Sequence, residues 1–423
     1  MKRMLKTLVS LVLVLVLVLS LFTMAASAEK KVLRLMVWGN TDNETKTTQA
    51  VLAAYPELAA KMDIEVVVGG ANDAESANKF RLALSANDDI PNIVMLNYTQ
   101  VPEFANAGVL EDISAAVEPY KADIIPGILS IMSYGDKMIA FPYDAKPKYW
   151  FYRSDMFADA GLDVTAIRTV DDLIAAGKKL QEKYPGAYIW NIGSTTFAPD
   201  LMFTLTGYDA KFRDDAGNYV LVTDPGVRQT FESLKALKDA GVTGNFKALT
   251  PEWEQAIKDN ALASTLIASW FKVNLPKIAP EQQGKWGIAP WPESFAAGGN
   301  AAVFVVPAGA KDKDLALEFL TKMRLDKTGS LAVFGALGLT PLIKSCADDP
   351  VVNTPNPFFG VSIAAKDFQV FESFKTFPFT ETSSQELSIL AQYLDEYLNG
   401  GKTLDDALAA AQNDMVTTIG QLQ

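Results

Sequence analysis

Histidine is absent from all 423 residues, and cysteine occurs once, at Cys346. The first absence removes Ser-His-Asp and Cys-His nucleophile systems and takes from zinc its commonest nitrogen ligand. The second leaves neither a disulfide framework nor a lipid-bearing cysteine behind an export leader. Positive charge is also scarce, with 38 Lys+Arg against 50 Asp+Glu. Such an acidic surface repels phosphate backbones and anionic lipid, so no nucleic acid partner is expected. Carboxylate chemistry stays open, because a glycosidase needs only two Asp or Glu side chains about 5 to 10 Å apart. No metal site or cofactor is expected. Gly401-Lys402-Thr403 has the form of a P-loop ending, yet Glu396 stands where the first glycine belongs. Thr403, with Asp406 three residues on, reads instead as the cap of the last helix. Asp214-Asp215-Ala216-Gly217-Asn218 lacks the alternating ligand spacing of a calcium loop and reads as a turn.

What is present begins with a leader. Lys2, Arg3 and Lys6 precede an almost wholly apolar run over residues 8–22, and Ala26-Ser27-Ala28 has the small-x-small form of a cleavage site. Residues 1–28 therefore read as a secretory signal peptide, with an uncleaved anchor as the alternative. Removing three basic residues leaves the mature chain near −15 (38 less 3, against 50). Its length of about 395 residues is enough for two or three domains, each with its own core.

The mature chain alternates short apolar strands with amphipathic helices. Strands are expected over residues 32–38, 64–68 and 93–96, with helices over 49–61 and 72–85 between them. This is a βαβαβ order, which implies parallel strands, right-handed crossovers and ligands beyond the carboxyl ends of the strands. Two polar loops leave those ends, residues 38–44 and 97–100. Further on, helices are expected at 170–183 behind Thr169, from Asp224-Pro225 to about 240, after Thr250-Pro251, and at 313–324, 386–398 and 403–419. Strands are expected at 187–191 and 301–307, and a hairpin over 211–222. FPYDAKPKYWFYRSDMFADAGLD, residues 141–163, stands apart: aromatics, a carboxylate and two amines share one short stretch.

The chain resembles the family 1 extracellular solute-binding proteins, the sugar-binding subunits of ATP-driven (ABC) importers, over nearly all of its mature length. The resemblance is carried by IPNIVMLNYTQVPEFANAGVLEDIS, IAFPYDAKPKYWFYRSDMFADAGLD, TVDDLIAAGKKLQ, ASW at 268–270, GKWGIAPWPES, GGNAAVFVVPAGAKDKDLALEFL and LNGGKTLDDALAAAQNDM, in that order. It implies an α/β, two-lobed periplasmic-binding-protein-like fold of type II, each lobe a mostly parallel sheet flanked by helices. The ligand cleft would lie at the hinge. One lobe would comprise residues 29–143 and 297–343, the other 144–296 and 344–423, with residues 141–163 as the first crossing. The implied partners are a carbohydrate ligand and the membrane permease subunits of the transporter. The implied state is a monomer without enzymatic activity.

The resemblance to maltodextrin-type binders places Asn40 and Asp42 on ligand hydroxyls, beside Trp38. It places Asn97 and Tyr98 on the second polar loop, and Tyr143, Asp144 and Lys146 in the hinge loop. Phe197 and Trp270 fall on stacking positions, and Gly298 and Gly299 allow close approach or hinge motion. Lys146-Pro147 stands where relatives carry Gly-Pro, so an amine enters the cleft and an acidic sugar becomes a ligand to test. Each residue also has a packing reading. Trp38 suits a strand end, Trp150 and Tyr152 suit a core, Asp144 suits a turn cap, and Asn40 or Asp42 could close the loop on its own backbone. Two other functions fit the composition: an extracellular glycan hydrolase, or a binder of a polyamine, oligopeptide or other non-sugar on the same fold.

Overall fold

The computed structural model describes residues 30–192, 199–214, 216–248, 250–269, 271–290, 301–372 and 377–420. The strands labelled below are β1 (Lys31–Trp38), β2 (Met62–Gly70), β3 (Ile93–Asn97), β4 (Phe141–Pro142), β5 (Lys148–Arg153), β6 (Ser264–Ala268), β7 (Trp286–Pro290) and β8 (Ala302–Val305). The helices used below are α1 (Asp42–Ala54), α2 (Asp73–Ala86), α3 (Val170–Lys183), α4 (Pro225–Asp239), α5 (Phe271–Ile278), α6 (Lys313–Arg324), α7 (Lys327–Leu337), α8 (Ile363–Phe371), α9 (Ser383–Leu398) and α10 (Leu404–Thr418).

The first lobe is built on a five-stranded sheet in the order β2-β1-β3-β8-β4. β1 runs parallel to both neighbours, and β8 is antiparallel to β3 and β4. Alternation sorts the side chains to two faces. Leu33, Leu35, Val37, Ile93, Met95 and Phe304 enter one core with Phe319 and Val333 from α6 and α7. Met36, Val94, Leu96, Val303 and Val305 enter the other with Phe80 and Phe104. Helices thus cover both faces, as a parallel sheet requires.

The second lobe differs from the expected mostly parallel sheet. β6, β5 and β7 form an antiparallel three-stranded sheet with β5 at its centre. Among the described residues, parallel pairing there is confined to the short Trp190–Asn191 and Thr243–Gly244 pair and a bridge from Tyr188 to Leu262. β5 carries Trp150 into a cluster with Phe157 and Trp190, and Tyr149 and Phe151 into a second with Trp253, Phe271 and Trp286. The packing reading of Trp150 is therefore the observed one. A third cluster joins α4, α9 and α10 through Phe231, Leu390, Leu394 and Leu408.

Helix starts follow the caps. Thr169 and Asp172 form a reciprocal capping box, Asp224 accepts from the Val227 amide at 2.9 Å, and Thr403 accepts from the Asp406 amide at 3.2 Å. α1 begins at Asp42, seven residues earlier than expected. Asp42 and Glu44 place negative charge in its first turn, where the helix dipole favours it. Asp214 accepts from the amides of Ala216 and Asn218, closing a turn as expected.

Candidate ligand-binding site at the lobe junction

The chain leaves the first sheet through β4 and enters the second through β5, so residues 143–147 are a crossing between lobes. The chain returns to the first sheet at β8, and residues 291–300 before it lie outside the described residues. The crossing is pinned to the first residue of β8: the amides of Tyr143 and Asp144 donate to the Ala302 carbonyl at 2.9 and 3.2 Å, and the Ala302 amide donates to Asp144 Oδ1 at 2.8 Å. Asp144 Oδ2 faces Lys146 Nζ at 3.5 Å. Lys146 keeps a quarter of its side chain exposed, more than Asp144 does, so the amine is the more accessible end of the pair.

Tyr143 turns inward. Its ring packs edge-on against Phe304 at 5.1 Å, and its hydroxyl donates to Glu44. Burial, followed by the negative charges of Glu44 and Asp144, pushes the phenol well above its ordinary range, so the hydroxyl stays a donor. Glu44 is itself buried, and desolvation raises its carboxyl above the usual glutamate value against the lowering effect of the Tyr143 hydrogen bond. Beneath lies Arg324, fully enclosed, whose Nε donates to the Pro142 carbonyl at 2.8 Å. Burial lowers its guanidinium to about 10, while Tyr143 and Asp144 oppose the shift. Its two terminal nitrogens meet no hydrogen-bond partner among the described residues.

Sequence reasoning selected neither Glu44 nor Arg324 for the junction. Glu44 closes the polar stretch 38–44, and its place in the first turn of α1 turns it inward. Arg324 ends an amphipathic helix, where a cation is ordinary. Nothing local marks its burial.

The other expected residues fall as follows. Trp38 ends β1, half-buried against the first core. Gly39 takes φ +75°, and the exposed Asn40 accepts from the Asp42 amide at 3.1 Å, so Asn40 does close its own loop. Asp42 is exposed as the first residue of α1. Asn97 Oδ1 accepts from the Thr99 amide and hydroxyl at 3.1 and 3.0 Å, a turn-fixing role. The Tyr98 hydroxyl donates to the Ser130 carbonyl at 3.2 Å, and its ring meets Phe379 of the second lobe edge-on at 6.0 Å. The structure thus gathers Tyr143, Asp144 and Lys146 at the crossing and sets Tyr98 between the lobes. Phe197, Trp270, Gly298 and Gly299 lie outside the described residues. A cavity of about 960 Å³ opens elsewhere, beside the carboxyl ends of Trp190–Asn191 and Thr243–Gly244 and along α9, and shares no residue with the expected set. Among the described residues no cluster of Cys, Asp and Glu is placed to hold a metal ion, and no helix is long and apolar enough to cross a membrane.

Two α/β lobes joined by a crossing pinned to β8, with polar loops at strand ends beside the junction, define a two-lobed binding protein of type II. The chain belongs to the bacterial extracellular solute-binding proteins, whose family pattern it matches over residues 53–359. It is 24% identical over 297 residues to an arabinooligosaccharide-binding protein of Halalkalibacterium halodurans, covering 67% of this chain and 65% of that one. Against an arabinooligosaccharide-binding protein of Bacillus subtilis it is 24% identical over 306 residues, covering 68% and 67%. The chain thus spans about two thirds of the length of these relatives. In fold it is similar to the sugar-binding protein MalE of Xanthomonas citri, with a TM-score of 0.80 at 18% identity over 93% of this chain and 98% of that one. The galacto-N-biose-/lacto-N-biose I-binding protein of an ABC transporter from Bifidobacterium longum gives 0.73 at 20% identity, covering 93% and 98%.

Proposed function

We propose that the protein is the exported sugar-binding component of an ABC importer, capturing an oligosaccharide between its lobes and handing it to the membrane permease. The observation that carries this reading is the alignment with arabinooligosaccharide-binding proteins over about two thirds of the chain. On this reading residues 1–28 are removed on export and the mature protein acts as a monomer. The lobes comprise residues 29–143 with 297–343 and 144–296 with 344–423.

A sugar ring has apolar C–H faces and a rim of hydroxyls, so it suits aromatic faces with charged or amide groups at their edge. Tyr98, Trp270 and Phe197 supply the first in this proposal, and Lys146, Asp42 and the amides near Asn40 and Asn97 supply the second. Because the ligand touches both lobes, it binds the closed form better than the open one, which is what shifts the population.

Calorimetry and thermal unfolding against arabino-oligosaccharides, other neutral oligosaccharides, uronates, polyamines and peptides test this. A sugar at about 100 times its dissociation constant adds roughly 2.7 kcal/mol of stability. Heat and stabilisation from a neutral oligosaccharide are expected, with the sugar recovered unshortened. Binding confined to polyamines or peptides, or cleavage of the sugar, would overturn the proposal.

A further inference from the structure

The carboxylate of Asp367, on α8, is 1% exposed and is divided between the lobes. Oδ1 accepts from the Tyr149 hydroxyl of β5 at 2.6 Å. Oδ2 accepts from the Thr340 hydroxyl, and Lys272 Nζ of α5 lies 3.4 Å from the same oxygen. Tyr149 and Lys272 belong to the second lobe. Thr340 belongs to the first: Leu339, Leu342 and Ile343 around it pack in the first-lobe core.

The helix that carries Asp367 is divided in the same way. Ile363 and Val370 pack with Tyr149 and Phe151 in the second lobe, while Phe368 and Phe371 pack in the first-lobe core. A rotation of one lobe against the other cannot leave both faces of α8 in register, because close-packed side chains slip between discrete arrangements. It must also change the geometry at Asp367, whose donors move with different lobes.

We propose that Asp367 is a positioning residue for ligand capture: by holding Thr340 on one side and Tyr149 with Lys272 on the other, it sets the resting angle of the lobes and their freedom to rotate. It acts from inside the junction, since its oxygens are occupied and closed to solvent. Desolvation and the adjacent Asp367 charge keep the Tyr149 phenol protonated, so that bond persists across the physiological range. The effect on affinity follows by linkage, because a ligand's apparent affinity scales with the fraction of protein in the competent form. Only this affinity arm rests on the sugar-capture reading.

The test uses the full chain with spin labels on cysteines introduced at Gln49 and Glu252, exposed positions on the two lobes, the native Cys346 being buried. Distance distributions are recorded without ligand for the parent, Asp367→Asn and Thr340→Val, and binding of an arabino-oligosaccharide probe is measured on each. Both variants are expected to shift or broaden the unliganded distribution and to change probe affinity by about fivefold or more, in the direction given by the change in closed population. Folded variants with the parental distribution would overturn the proposal. If Asp367→Asn does not fold, Thr340→Val, which removes one hydroxyl and leaves the carboxylate in place, decides it. If the parent binds no sugar, the function proposal falls while the distance measurement still decides the role of Asp367.

Discussion

Asp144 accepts from the backbone amide of Ala302 at 2.8 Å, so one carboxylate on the outgoing crossing holds the strand that closes the return. Replacing it by alanine leaves a part-buried amide unpaired and removes the counter-ion of Lys146. Asp144→Ala is expected to destabilise the protein by about 1–3 kcal/mol, and Asp144→Asn, which keeps an acceptor for the amide, by less. Urea unfolding of the two variants checks the order, and equal losses would mean that the charge, not the hydrogen bond, holds the junction.

Glu44 makes stability depend on pH. Its folded carboxyl is raised above the ordinary value of 4.5, chiefly by burial, with Tyr143 and Asp144 facing it. Between the ordinary and the raised value the native state holds more proton than the unfolded chain, so this group's contribution falls as pH rises through that window. Glu44→Gln removes the titration. The stability of the variant relative to the parent should increase from about pH 4 upward and level off above the folded value, as read from unfolding midpoints at a series of pH values. A flat difference would place Glu44 in a wetter setting than the structure gives it.

Trp270→Ala tests the proposed stacking position. Loss of one aromatic face from a sugar costs about 1 to 1.5 kcal/mol, or roughly tenfold in affinity. Unfolding temperature should stay close to the parent's. Undiminished affinity for a sugar that the parent binds would remove Trp270 from the site.

Lys146→Met addresses selectivity. The amine at the crossing is partly exposed and lies 3.5 Å from Asp144. The substitution keeps the apolar stem and deletes the donor, so binding of a uronate-bearing oligosaccharide should weaken more than that of its neutral counterpart. Calorimetry on the matched pair reads the difference, and an equal change for both would assign the lysine to shape alone.

Gly329→Ala probes packing between α6 and α7. A Cβ built at Gly329 lies 1.9 Å from the Lys322 carbonyl oxygen, and backbone cannot step aside as a flexible side chain can. A loss of about 1–3 kcal/mol is expected in thermal or urea unfolding.

The parts of the fold that sequence revealed are those governed locally. The apolar runs of β1, β2 and β3 and the intervening helices fixed the parallel half of the first sheet, and Thr169, Asp224 and Thr403 marked helix starts by a hydrogen bond within four residues. The start of α1 is hard to see in the sequence because Asp42-Asn43-Glu44-Thr45 has a loop's composition, although two acids in a first turn suit a helix. The pairing direction in the second lobe was hidden, since β5, β6 and β7 meet across long stretches of chain and their apolar content is the same for either direction. At the site, clustered aromatics and charges set residues 141–163 apart, while only the resemblance to the solute-binding family implied a crossing there. Arg324, Glu44 and Asp367 were not legible, because what distinguishes each is a partner far away in sequence, such as the Pro142 carbonyl for Arg324.

α8 buries Phe371 in one core and Val370 in the other. Neither half of the molecule therefore owns it, and either half produced alone, its two chain segments joined by a linker, would present a raw apolar surface to water. Expression of separate halves should give insoluble product, and the two should regain solubility only when produced together, much as two strips of a zip hold only when meshed.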